Sequence, residues 1–221
     1  MKDYISQFDK NYFGSIELKY KRYKDMKEMQ RIYFPKSVLE EKIQPKSKVL
    51  DIGCAFGFFL KLCDEYNLET YGLDISDYAI RKAKKITKAK LYLRDINDML
   101  DIFANEYFDL VTMFDTIEHV KNPCGLLTEV HRVLKRGAKM VITTPNINAI
   151  AKLLKGNQWV GFSDPSHLYL FTSDSLKFLV EKNGFVVIKL ETIFHPFPEF
   201  LQKILNRTGK GGEIWLVGRK I

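Results

Sequence analysis

Residues 49–60, VLDIGCAFGFFL, decide the fold. An apolar run ends on Asp51, passes Gly53 and Gly57 with nothing bulky and charged between them, and enters an aromatic-rich stretch. That order reads as a buried strand, a tight loop and the start of a helix. Further apolar runs follow at 69–75, 89–96, 108–115 and 139–145, with helix-sized stretches at 57–66, 76–87, 97–104 and 122–135. Asn122-Pro123 suits a cap and a first-turn proline, and Gly137 suits the end of that helix. The alternation predicts a parallel sheet with helices on both faces, its strand C-termini gathered on one edge. A capped helix closed by Gly184 then leads to strands at 185–193 and 212–220. Only 199–206 could form a helix between those two strands, so an antiparallel last strand is expected.

A chain of 221 residues suits one α/β domain. The expected domain is 1–221, with 1–45 as an N-terminal helical cap and 146–171 as a substrate-side insertion. Its 46% hydrophobic and 28% charged residues are those of an ordinary globular protein. No apolar run approaches the roughly 20 residues of a membrane span, and the N-terminus lacks a signal core, so a cytoplasmic protein is expected. Cys54, Cys63 and Cys124 show no paired spacing, which argues against disulfides and a cysteine zinc site. The histidines look scattered, so no metal is expected. The net charge of +8 has its strongest cluster at 81–90, RKAKKITKAK. Tyr78, Ile80, Ala83 and Ile86 can pack there, and a solvated helix face explains the cluster without nucleic acid.

In an open α/β sheet the ligand sits at the strand C-termini. A dinucleotide site wants G-x-G-x-x-G, but the spacing here is G-x-x-x-G with Ala55 in place of the second glycine. Asp51 beside the loop opposes a diphosphate and suits an ammonium or sulfonium. Asp74 ends the second strand, where a carboxylate can accept both ribose hydroxyls. Asp95 ends the third, placed to take an adenine amino group while Ile96 packs on the ring. The same aspartate would also serve as a helix cap. Three acids at successive strand ends describe a site for a cationic nucleoside such as S-adenosylmethionine.

The runs VLDIGCAFG, GLDIS and FDLVTMFDTIEHVKNPCGLLTEVHRVLKRGAKMVITTPN resemble the class I S-adenosylmethionine-dependent methyltransferases. Within them the chain is most similar to the group that includes the ubiquinone and menaquinone biosynthesis enzymes, over roughly 47–190. The resemblance implies a Rossmann-like seven-stranded sheet in order 3-2-1-4-5-7-6, with the last strand antiparallel. It implies S-adenosylmethionine as cofactor and S-adenosylhomocysteine as product. Gly53, Cys54 and Gly57 would lie under the methionine moiety, and Asp51 would order the loop and face the ammonium. Asp74 and Ile75 would hold the ribose and flank the adenine, and Asp95 and Ile96 would grip the adenine edge. Phe114 and Asp115 would lie against the cofactor. His119 would stand at the pocket wall, as a base or as packing. The usual G-C-G-x-G reads G-C-A-F-G here, which removes some backbone freedom at residue 55.

The acceptor pocket would come from the N-terminal 45 residues and from 146–171. WVGFSDPSHLYLFT resembles the D-P-x-H-x-x-x-F-T stretch of this group, with His167 as an acceptor-side base or as a loop tie to a carbonyl. Phe58 reads as core. Tyr12 and Phe13 resemble lid residues, and Arg31 holds a position where relatives place a basic group. Residues 194–211 would cover the pocket, touch a membrane surface or meet a second copy in a homodimer. The expected activity is methyl transfer to a small or carrier-linked metabolite at oxygen, by in-line displacement. The alternative is an RNA or protein methyltransferase, although the fourth strand ends in FDTI instead of the Asn/Asp-Pro-Pro-Tyr of amino-group base methylases. A cofactor-binding module without turnover and a nicotinamide-dependent oxidoreductase are the remaining readings, the latter opposed by the glycine spacing.

Overall fold

The computed structural model describes residues 43–96, 101–193 and 206–221, together with Phe8 and Tyr12. Seven strands form one sheet in the order β3-β2-β1-β4-β5-β7-β6. They are β1 (Lys48–Ile52), β2 (Glu69–Asp74), β3 (Lys90–Leu93), β4 (Phe108–Phe114), β5 (Leu134–Pro145), β6 (Phe185–Ile193) and β7 (Glu213–Lys220). The order is the expected one, and β7 runs antiparallel to both β5 and β6.

Contacts divide the chain into two compact units, Met1–Asp98 and Met99–Ile221. In the first, β1, β2 and β3 pair in parallel, with Asp51 opposite Gly72 and Asp74 opposite Leu93. Residues 49–52 are all buried, the pattern of a strand covered on both faces. The helices of this unit are α1 (Phe58–Glu65) and α2 (Asp77–Ala83). Ser76 caps α2 by accepting from the Ala79 N–H. Ala79, Ile80 and Ala83 turn inward while Arg81, Lys84 and Lys85 face solvent. Arg81 pairs with Asp77 at 2.6 Å. The basic run is thus a solvated face.

In the second unit β4 and β5 pair in parallel. The helix α3 (Pro123–Val133) starts where Asn122 accepts the Gly125 N–H at 3.0 Å. It runs straight into β5, which begins at Leu134 instead of the expected 139. The register with β4 shifts inside this early part, where Gly137 adopts φ 75. The insertion holds α4 (Ile150–Lys155) and α5 (Val160–Ser163). The last helix is α6 (Ser173–Lys182), opened by a Thr172/Ser175 capping box. The core of the unit gathers Phe108, Val111, Met113, Leu127, Val130, Ile142 and Leu216, all fully buried.

Residues 101–104 form turns, not the helix expected over 97–104, whose first part lies outside the described residues. The expected N-terminal helices, Phe13, Arg31 and most of 194–211 also lie outside them. No helix of the described residues is long and apolar enough to cross a membrane.

Candidate active site

The loop after β1 alternates into the left-handed region at Gly53 (φ 76), Ala55 (φ 45) and Gly57 (φ 75). Its backbone hangs from the end of β2. The Gly53 and Cys54 N–H groups donate to the Leu73 carbonyl at 2.8 and 2.9 Å. Ala55 N–H donates to one carboxylate oxygen of Asp74 at 2.8 Å, and Ser76 N–H to the other at 2.8 Å. The first of these bonds holds the one non-glycine of the alternation in a conformation that alanine disfavours. Each oxygen of a carboxylate has a second lone pair, so Asp74 keeps acceptor capacity after both bonds are made. Burial pushes its carboxyl up to about 6, against the opposing pull of those N–H groups.

Glycine is required at 57 on two counts. Its φ is positive, and a Cβ there would stand 3.0 Å from the Ala83 Cβ. Gly72 has a different reason: a Cβ would meet Leu60, Leu91 and the Cys54 sulfur, all within 2.9 Å. The Cys54 side chain therefore packs on the β2 backbone, and burial, then Asp74 and Asp51, raise its thiol well above the ordinary range. Only its backbone belongs to the loop surface. Asp51 is buried on β1. Asp95 and Ile96 are half-buried just past Arg94, whose N–H donates to the Asp74 carbonyl at 2.9 Å.

An aromatic cluster packs against this loop. Phe8, Phe56 and Ala79 form its buried part, with Tyr12, Ala55, Phe58, Ile75 and Tyr78 against it. Tyr12 meets Phe8 edge-on at 5.1 Å, and Phe56 meets Tyr78 at 6.0 Å. Phe58 is thus packing, as expected. Ile75 and Tyr12 share the cluster with it. The donor set of this unit fits S-adenosylmethionine: the buried Asp74 carboxylate with acceptor capacity left, an apolar wall, and a loop carrying no basic side chain.

The tip of β4 belongs to the second unit. Phe114 is half-buried, its ring 6.0 Å from that of Trp215. Asp115 holds φ 45, a strained backbone for a non-glycine residue. Its N–H donates to the Thr143 carbonyl and hydroxyl, both at 3.1 Å, and the hydroxyl donates back to its carboxylate at 3.1 Å. Three residues on, Glu118 is only 1% exposed. One of its oxygens accepts from the Thr144 hydroxyl at 2.9 Å, while Oε1 has no partner among the described residues. Burial, then the negative charges of Asp115 and Glu213, drives its carboxyl well above the ordinary range. Glu213 Oε1 at the start of β7 is likewise without a partner, and burial and Asp115 raise that carboxyl too.

Two of the four histidines that look scattered along the sequence, His119 and His167, meet here. Leu168 and Tyr169 donate their N–H groups to the Glu118 carbonyl at 2.8 and 3.1 Å, which folds the insertion back onto the β4 tip. The His119 and His167 rings lie 4.8 Å apart. His167 Nδ1 lies 3.0 Å from the Gly161 carbonyl, so its loop-tying role is real and concerns one ring nitrogen only. Glu118, His119 and His167 offer one donor atom each, all within 4.8 Å of one another, and could hold a divalent cation. Two imidazoles and a carboxylate suit zinc or a similar transition metal. Sequence reasoning missed Glu118, Glu213, Asp164 and Ser166. The one available signal was an acid set among apolar residues in IEHV.

A family model described as a methyltransferase domain matches residues 26–190. The chain belongs to that methyltransferase family. Its cofactor is S-adenosylmethionine. An uncharacterized protein of Methanocaldococcus jannaschii is 30% identical to this methyltransferase, over 77% of the chain and 72% of the relative. The ubiquinone biosynthesis O-methyltransferases of Thiobacillus denitrificans and Cereibacter sphaeroides are each 29% identical, over 48% and 62% of the chain. The match spans 48% and 59% of those two enzymes. A crystal structure of an S-adenosylmethionine-dependent methyltransferase from Archaeoglobus fulgidus shares the fold. It superposes with a TM-score of 0.71 at 22% identity, over 93% of this chain and 99% of the other.

Proposed function

We propose that this methyltransferase moves a methyl group to an oxygen of a small or carrier-linked metabolite. The buried Asp74 carboxylate, tied to Ala55 and Ser76 and still able to accept, carries the cofactor half of the reading. It would take the ribose hydroxyls. Asp95, Ile96 and Ile75 would hold the adenine, and Asp51 with the backbone of Gly53, Cys54 and Gly57 would hold the amino-acid end. Phe114 and Asp115 remain the proposed contacts near the sulfonium. When bound, S-adenosylmethionine supplies a methyl group on a good leaving group, open to in-line attack. The chain's part is alignment and exclusion of water, worth up to about 7–11 kcal/mol when orientation is ideal. A hydroxyl acceptor must also lose a proton, which His167 or His119 would take.

Calorimetry is expected to show binding of S-adenosylmethionine and none of NAD; the opposite result overturns the reading. Once screening with labelled methyl donor yields an acceptor, His167→Ala should lower kcat by roughly 10²–10⁴-fold with cofactor affinity unchanged. Full activity in that variant removes His167 as the base. The RNA or protein alternative gains no support from the basic run, which leaves α2 at Ala83 and turns Arg81, Lys84 and Lys85 to solvent.

One observation favours a second reading of the acceptor side. Among the described residues, Glu118 Oε1 is buried without a partner beside two imidazoles. A divalent cation there would polarise the acceptor oxygen, with the histidines as ligands instead of bases. Zinc titration should then show one site, weakened about tenfold or more in Glu118→Gln. No binding to the unmodified protein would leave the base reading alone.

A further inference from the structure

Two segments distant in sequence meet at His119. Its Nδ1 lies 3.0 Å from the Ser166 carbonyl oxygen and 3.0 Å from the Ser166 hydroxyl oxygen. Asp164 decides which atom donates. One oxygen of its carboxylate accepts both the Ser166 N–H at 2.9 Å and the Ser166 hydroxyl at 2.5 Å. A hydroxyl has one proton, and here the carboxylate takes it, so the oxygen can offer His119 only a lone pair. The carbonyl can only accept. Nδ1 therefore faces two acceptors and must carry the ring proton, which leaves the lone pair on Nε2. The second oxygen of Asp164 stands 3.9 Å from His167 Nε2, outside hydrogen-bond range.

We propose that Asp164 and Ser166 are positioning residues that fix the tautomer of His119, with the proton on Nδ1 and the lone pair on Nε2. Asp164 acts at one remove, by engaging the proton that Ser166 would otherwise offer to Nδ1. His167 arrives at the same tautomer by a simpler route, through its contact with the Gly161 carbonyl. Both rings then present Nε2 as a Lewis base. The use of that lone pair, on an acceptor proton or on a cation, rests on the function proposed above; the tautomer itself does not.

The test reads ring protons by long-range nitrogen–proton NMR of the full chain labelled with ¹⁵N-histidine. The unmodified protein should show His119 protonated on Nδ1. Asp164→Ala frees the Ser166 hydroxyl to donate, and should shift the tautomer ratio about tenfold towards Nε2–H, the effect of one ordinary hydrogen bond. Adding Ser166→Ala removes that hydroxyl, leaves the carbonyl, and should restore Nδ1–H. Packing by Asp164 alone would give no such rescue, and its absence overturns the proposal. An Nε2–H ring in the unmodified protein overturns it too, with no variant needing to fold. Turnover is not the readout, so failure of the methyl-transfer reading and failure of this one remain distinct.

Discussion

Asp74→Ala is expected to weaken S-adenosylmethionine binding by about 100-fold or more, and to lower the thermal midpoint by roughly 10 °C. Two losses coincide. The carboxylate accepts backbone N–H groups from Ala55 and Ser76, one on each oxygen. Hydrogen bonds to charged groups contribute about 1.5–3 kcal/mol each, and a domain of this size shifts by roughly 2–4 °C per kcal/mol. Ala55, held at φ 45, also loses the bond that keeps it there. Calorimetry and a thermal melt on the same variant separate the two effects, and unchanged affinity would remove Asp74 from the site. The pH dependence gives an independent check. The folded carboxyl titrates near 6 against an ordinary value of 3.8, so between those values the folded state holds the extra proton. This group's contribution to the stability of the free protein is then complete below the lower value and is lost as pH rises through the upper one. Ribose hydroxyls donate to the ionised form, so cofactor affinity should fall as pH drops through about 6. Asp74→Asn should abolish that pH dependence.

The second large effect is expected at Gly57. A valine there combines a β-branched side chain at φ 75 with a Cβ 3.0 Å from Ala83 and 3.2 Å from Thr87. Left-handed strain costs about 1–3 kcal/mol and overpacking about 1–3 more, a large share of a typical total stability of 5–15 kcal/mol. The denaturation midpoint should fall accordingly. Gly137→Ala is the control, because Gly137 has the same φ but a Cβ added there would meet nothing within 4 Å. It should lose only the strain component. Equal losses in Gly57→Val and Gly137→Ala would mean that close packing between the loop and α2 has no energetic weight.

The strands were legible because buried parallel strands read as short apolar runs, and each predicted run holds a strand within a few residues of its ends. The early start of β5 was not, since Lys135, Arg136 and Gly137 resemble a loop, and within this early part the register with β4 pairs Leu134 with Phe108 before it shifts and resumes at Lys139. Asp51, Asp74 and the glycine loop could be named from the chain because local order alone sets them at a strand end. The Glu118, His119 and His167 group could not. His167 is brought there by main-chain bonds from Leu168 and Tyr169 to Glu118, and no periodicity encodes those. The inward turn of the Cys54 thiol was equally hidden, because it depends on the absent side chain of Gly72 in a neighbouring strand.

The position of β7 has a consequence for biosynthesis. It lies between β5 and β6 and gives each of them a hydrogen-bonding neighbour. During translation β5 leaves the ribosome roughly 75 residues ahead of the end of β7, an interval of about 4–15 s at ordinary elongation rates. For that time one flank of β5 exposes unpaired peptide groups, joined by β6 once Ile193 has been made, so nascent chains stalled before Glu213 should be the ones that chaperones capture.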